Sequence, residues 1–317
     1  MQVYEAPLRD MAFVLNELHA DDGFGDLEAL SEFTLDLTGA ILEEAAKVAQ
    51  EVLLPLNRSG DMEGCTLENG VVRTPKGFKE AYDMFREGGW CALASDPEWG
   101  GQGLPEAVNK LTEEMICSAN LSFSLYPGLT HGATTAIEGY ASDELKQAYL
   151  PKMVSGEWSG TMCLTEPHCG TDLGMLRTKA VPQDDGSYKL TGAKIFISAG
   201  EHDLTQNIVH LVLARMPDAP PGVKGISLFL VPKYLPKDDG TPGAANGVSV
   251  QAIEHKMGLK ASATCQLNFE DSVGWLVGKP HKGMEAMFTM MKTERAVALS
   301  AGVRPSEVAP ASAGNMS

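Results

Sequence analysis

The chain has 317 residues, 44% hydrophobic and 21% charged, the balance of a globular protein long enough for about two ordinary domains. Asp and Glu number 42 against 25 Lys and Arg, and the resulting formal charge of −17 disfavours nucleic acid and membrane surfaces as partners. The six cysteines include no CxxC pair and the seven histidines no HxxxH or HExxH pair, which disfavours a disulfide framework and a zinc site and points to reduced thiols, a cytoplasmic location and no metal.

Met1 to Pro7 has neither a basic nor an apolar leader region, and no apolar run approaches the roughly 18 residues of a membrane span. From Pro7 to about Trp158 the apolar spacing is helical. Ile41, Ala45, Val48, Ala49, Val52 and Leu53 form one buried stripe, and Pro55 is expected to stop or kink that helix. A second helical segment, Leu104 to Ala119, follows the glycine-rich turn Gly100-Gly101-Gln102-Gly103. A third opens at Ser142, whose hydroxyl is placed to accept an orphan amide, with Leu145, Ala148, Tyr149 and Met153 as its apolar positions.

Between about Ser159 and Trp275 the period shortens to two. Tyr188, Leu190, Ala193, Ile195 and Ile197 alternate with polar or small neighbours behind the turn Asp184-Asp185-Gly186-Ser187. Ile208 to Ala214 and Ile226 to Val231 read as buried strands, with shorter ones at Val248–Val250 and Cys265–Phe269. No strong helix separates them, so an antiparallel barrel or sandwich is expected and not a βαβ sheet. After Gly278 the helical period returns at Met284, Met287, Phe288, Met291, Arg295 and Ala298. The run after Gly302 is small, polar and rich in proline, the composition of a disordered tail.

The expected organisation is therefore α+β and multidomain. Residues 1–158 form an N-terminal all-α domain, 159–276 a middle antiparallel β-barrel or sandwich, 277–302 the first helix of a C-terminal α-helical domain, and 303–317 the tail.

Three segments can carry chemistry. Met162 to Asp172 combines hydroxyls at Thr165 and Thr171 with a bend at Pro167 and close approach at Gly170, suited to wrapping a flat polar ring; a plain polar turn has the same composition. In Lys194 to Gly200, alternation places Phe196 and Ser198 on one side of a strand, an apolar wall beside a hydrogen-bonding group; an ordinary buried strand shows this too. In Thr293-Glu294-Arg295, Glu294 is a candidate general base and Arg295 a partner for an anion, unless both belong to a solvated helix face. Gly100 to Gly103 lacks the third glycine of a dinucleotide fingerprint, and Gly156 to Gly160 is not GxSxG.

Taken in order, the helical segment, CLTEPxxGTD, KIFISAG, KMGLKASATCQLNFED and TER resemble the acyl-CoA dehydrogenase family over about residues 35–301. Tyr4 to Leu15 and Ser198 to Leu204 resemble its longer-subunit branch, which includes 3-methylmercaptopropionyl-CoA and broad-range fatty acyl-CoA dehydrogenases. The resemblance implies FAD as cofactor, an acyl-CoA thioester as substrate, an electron-transferring flavoprotein as acceptor and a homo-oligomer. It implies flavin contacts from Met162, Cys163, Leu164, Thr165, Gly170 and Thr171 in the loop and from Phe196, Ile197 and Ser198 in the strand, where Phe196 replaces a frequent tryptophan. Thr171 is also expected near the thioester, and Arg295 at the acyl-CoA pocket.

The family's usual base is a glutamate later in the C-terminal helical domain; a minority places it just before the arginine, where Glu294 stands. The family's later Arg-x-x-Phe-Gly and glycine-rich segments have no counterpart, which fits an incomplete subunit and leaves the apolar side of the Met284–Val297 helix expected to stand uncovered. Two other readings remain: a non-catalytic remnant binding flavin, acyl-CoA or a partner subunit, and a nitroalkane oxidase-like flavoprotein on the same fold.

Overall fold

The computed structural model describes residues 4–18, 34–293 and Arg295. Glu294 and the expected tail at 303–317 lie outside the described residues.

The first part of the chain is built from α1 (Leu8–Phe13), α2 (Leu35–Lys47), α3 (Leu54–Glu63), α4 (Phe78–Glu87), α5 (Glu106–Tyr140) and α6 (Asp143–Val154). Thr34 caps α2 by accepting the Leu37 amide at 3.2 Å. Pro55 does not end the helical run. A π-helical stretch, Val48–Leu53, carries α2 into α3, and Pro55 falls in the first turn of α3 directly after it. Ser142 caps α6 through the Leu145 amide at 3.4 Å, as its position predicts.

Helix α5 continues well beyond Ala119. Asn120 leaves helical space (φ −154°, ψ 88°) and repairs the break with its own side chain. Its Nδ2 donates to the Leu53 carbonyl, and its Oδ1 accepts from the Phe123 amide, both at 3.1 Å. The second half carries no clean apolar stripe because it is buried nearly all round, Ser122, Thr130 and Thr134 included.

This part of the chain is not wholly α-helical. Strands β1 (Thr66–Glu68) and β2 (Val71–Arg73) form a hairpin across Asn69-Gly70, both at positive φ, the chemistry of a two-residue primed turn.

The second part contains β3 (Trp158–Cys163), β4 (Lys179–Pro182), β5 (Tyr188–Ser198), β6 (Asn207–Arg215), β7 (Ile226–Pro232), β8 (Tyr234–Pro236), β9 (Pro242–Ala245), β10 (Val248–Ile253) and β11 (Thr264–Val277). The ladder β5-β4-β6-β7-β11 returns to β5 and closes a barrel. The sheet is mixed where an antiparallel one was expected: β3 runs parallel to β6. β4 and β5 intervene between those two strands in the chain, which gives the long crossover a parallel pair requires.

Leu190, Val212, Phe229, Cys265 and Phe269 belong to the barrel core, while Val209, Leu211, Leu228 and Leu230 join the core shared with the helices. A final helix, α7, spans 283–293. Its apolar side is not left uncovered: Ala286, Met287 and Met290 are buried in that shared core, although Phe288 remains 44% exposed.

Gly160 lets β3 lie directly on α5. Its amide donates to Thr130 Oγ1 at 3.1 Å, and an added Cβ would stand 2.4 Å from the Ala133 Cβ and 2.9 Å from Met153 Cε. Gly139, exposed on α5, has nothing within 4 Å of such a Cβ. Gly160→Ala is expected to lower the free energy of unfolding by about 1–3 kcal/mol. Gly139→Ala should raise it by up to about 1 kcal/mol. Urea denaturation of the two variants checks both signs.

Candidate functional site

The loop that leaves β3 after Cys163 turns tightly at Pro167 and His168, with the Glu166 amide donating to the Cys169 carbonyl at 2.8 Å and the Cys169 amide to the Glu166 carbonyl at 3.1 Å. Glu166 is only 3% exposed. Its carboxylate accepts from Lys194 Nζ at 2.8 Å, Thr178 Oγ1 at 2.6 Å, the Thr178 amide at 3.1 Å and the Arg177 amide at 2.8 Å. Burial alone would raise the Glu166 carboxyl, but the Lys194 ammonium and these donors outweigh it and hold it below the ordinary carboxylate value. Lys194, on β5, is fully buried and also donates to the Leu164 carbonyl at 3.0 Å.

Beside this tie β5 changes course. The Ile195 amide donates to the Thr165 carbonyl at 2.9 Å. Across the ladder, Cys265 faces Ile197 while Leu267 faces Lys194, so β5 carries one residue more than its partner. Phe196 takes up the excess at φ 58°, in left-handed space that a bulky side chain rarely enters. Regular alternation fails here: Lys194 and Ile197 are both buried, and the Phe196 ring stands 59% exposed.

The structure thus brings the loop and strand segments together at Thr165 and Ile195. Met162 and Leu164 are half-buried against the shared core, Thr165 and Ser198 are half-buried, and Gly170 and Thr171 are exposed. The side chains of Cys163 and Ile197 belong to the barrel core, and their backbones pair with Val212 of β6 and Cys265 of β11. Burial pushes the Cys163 thiol up to about 12, against the lowering effect of the Thr161 hydroxyl, so it is an inert packing group.

Of the third segment, Thr293 and Arg295 are described. Arg295 is exposed, and Thr293 lines a cavity of about 250 Å³ with Trp99, Glu106, His131 and Glu138. Among the described residues, none from the loop or from β5 lines that cavity. Burial would raise Glu106, but His131, 3.6 Å away, and Lys110 bring its carboxyl down to about 2.

Glu166 and Lys194 were not singled out from the sequence. The signal was present: Leu190, Gly192 and Lys194 share a phase of β5, so a strand buried at Leu190 carries a lysine inward and demands a carboxylate.

Two neutral histidines support β3 from within. His210 Nδ1 pairs with Thr161 Oγ1 at 2.8 Å, and its ring meets Phe269 edge-on. His202 Nδ1 accepts the Leu204 amide at 3.2 Å, so its Nε2–H donates to Ser159 Oγ at 3.0 Å. Burial, with a smaller contribution from Lys233, brings both imidazoles down to about 3.

The unfolded chain takes up these protons near pH 6.5, the folded chain only near pH 3, so this stability is fully present above 6.5 and is lost as the pH falls. Between those limits the unfolding free energy should drop by about 1.4 kcal/mol per pH unit for each histidine. Denaturation of wild type and His210→Leu from pH 7 to 4 is expected to show a shallower slope in the variant.

Two family models match the chain: Acyl-CoA dehydrogenase, N-terminal domain, over residues 38–157, and Acyl-CoA dehydrogenase, middle domain, over residues 161–272. The 3-methylmercaptopropionyl-CoA dehydrogenase of Ruegeria pomeroyi is 47% identical over 292 residues, covering 92% of this chain and 50% of that protein. A butyryl-CoA dehydrogenase of Syntrophomonas wolfei is 41% identical over 310 residues, again covering 92% of this chain and 50% of that protein. The solved butyryl-CoA dehydrogenase of Megasphaera elsdenii shares the fold, with a TM-score of 0.72 and 24% identity over 88% of this chain and 67% of that one. The chain spans about half the length of the curated relatives it matches.

Proposed function

The chain belongs to the acyl-CoA dehydrogenase family, and from that premise we propose that it serves the α,β-dehydrogenation of an acyl-CoA thioester to the 2-enoyl-CoA with FAD as cofactor. The observation that carries this reading is Phe196: an aromatic ring 59% exposed, on a strand bulge tied to the neighbouring loop. A ring held that way offers a face to a planar ring system. Thr165 and Thr171 on the loop and Ser198 on the same strand add hydroxyls able to donate and accept, so the residues present fit an isoalloxazine. When bound, FAD supplies the acceptor for the β-hydride.

The chain's own residues bind and orient. Thr171 is the hydroxyl assigned to the thioester. Against an overall charge of −17, an anionic CoA needs a local cation, and Arg295, exposed at the end of α7, is assigned to it. The α-proton needs a base, for which this chain offers Glu294. By the same resemblance, the electrons pass to an electron-transferring flavoprotein and the subunit associates with copies of itself in the cytoplasm. No helix among the described residues is long and apolar enough to cross a membrane.

Reconstitution with FAD followed by anaerobic addition of butyryl-CoA tests the proposal: the flavin absorption band should bleach. Bound flavin that stays oxidised would assign the chain to binding without turnover, and absence of flavin binding by the folded chain would overturn the reading. Bleaching that survives Glu294→Gln would place the base elsewhere. Phe196→Gly separates ring binding from folding. Relief of the left-handed backbone should raise apo stability by about 1 kcal/mol, while FAD affinity falls by at least about tenfold, a loss of 1.4 kcal/mol.

A further inference from the structure

The bulge that turns Phe196 outward is not a local preference of β5. Phenylalanine is disfavoured at positive φ, and its neighbours Ile195 and Ile197 are β-branched residues suited to a regular strand. The departure occurs where the Ile195 amide bonds to the Thr165 carbonyl. Lys194 secures both flanks of that acceptor, since its ammonium binds the Leu164 carbonyl at 3.0 Å and Glu166 Oε1 at 2.8 Å. Glu166 is itself held by Thr178 and Arg177, which keeps the loop from following Lys194 back into a regular strand.

We infer that Glu166 and Lys194 are a positioning pair: they fix the Thr165 carbonyl, draw the Ile195 amide onto it, and so lock Phe196 outward as the face against which a flavin ring lies. The last clause rests on the flavin-binding reading; the backbone part stands without it.

A purely structural pair would make a different mark. Breaking it by removing one partner would destabilise the whole protein, and replacing both partners by uncharged groups would restore stability and leave β5 unchanged, since buried ion pairs are often replaceable without loss. A positioning pair leaves a local defect even when stability returns.

The test uses the full chain as wild type, Glu166→Gln, and the double variant Glu166→Gln/Lys194→Met, with three measurements: thermal unfolding, amide hydrogen exchange at Ile195, and quenching of FAD fluorescence. In variants that remain folded, exchange at Ile195 should speed up by at least about tenfold while amides of β6 stay slow. The FAD Kd should rise by at least about tenfold in the same variants. Unchanged exchange and unchanged Kd in a folded variant would overturn the pair's role. Should the double variant fail to fold, Glu166→Gln carries both readouts, because it keeps the side-chain shape and one acceptor oxygen, while it removes the charge that faces Lys194. Wild type that binds no FAD would overturn the flavin reading alone, with exchange at Ile195 still deciding the pair; wild type that binds FAD as tightly as a folded variant with unchanged exchange would overturn the pair alone.

Discussion

An ammonium and a carboxylate buried together set the constraint on which the candidate site depends. Removing two charges from water costs several kcal/mol per ion, and the cost is offset only when geometry is close and the remaining polar atoms are satisfied. Here Glu166 accepts from Lys194, Thr178 and Arg177, and Lys194 also finds the Leu164 carbonyl. Those groups lie on three separate stretches of chain: the loop after β3, the segment before β4, and the middle of β5. Satisfying one pair therefore holds three segments in one place. Elsewhere in the barrel, buried apolar strands set position through shape; here hydrogen bonding does so through direction, which is the sharper control where a backbone carbonyl has to be aimed.

The frame behind that node is equally fixed. Tyr126 on α5 donates its hydroxyl to the Ala261 carbonyl at 3.0 Å and accepts the Ala263 amide at 3.1 Å, joining the helices to the segment before β11. Asp203 accepts from the amide and hydroxyl of Thr74, which fastens the β1–β2 hairpin to the barrel. His202 meets the Tyr126 ring edge-on at 5.1 Å and anchors Ser159 on β3. These contacts come from both parts of the chain, and the His202–Ser159 bond carries them to β3, the strand that launches the loop. A site built on rigid elements holds its geometry more tightly than one built on loops alone.

What the sequence disclosed follows from how local each feature is. The shift from helical to alternating period marks the two parts because it records which faces are buried. The cap at Ser142 and the buried runs of β6 and β7 were legible for the same reason. The second half of α5 was not, because a helix buried on nearly every side loses its stripe and Asn120 interrupts it. The Asn69-Gly70 hairpin carried a recognisable turn signal that the surrounding helical pattern masked. The Phe196 bulge was beyond local reading, since no glycine marks it and its cause, the Thr165 carbonyl, lies thirty positions away in a segment whose direction is set by Glu166. Glu294, the candidate base, lies outside the described residues, so its assignment rests on the resemblance alone.

The apolar balance of α7 changes what can be asked of this chain. A helix carrying Met284, Met287, Met290 and Met291 would be expected to seek cover from a further domain. Instead Met287 and Met290 are buried against the same core that holds Phe123, Tyr126 and Leu211. At roughly 25 cal/mol per Å² of apolar surface, that burial is a stabilising contribution the described chain makes by itself. The barrel has its own core, and the loop and strand at the candidate site are fastened by contacts internal to the described residues. The proposed ring binding and turnover therefore separate physically: the first, as proposed, would draw on Phe196, Thr165 and the buried pair, whereas the second would also need a base whose position that pair does not set.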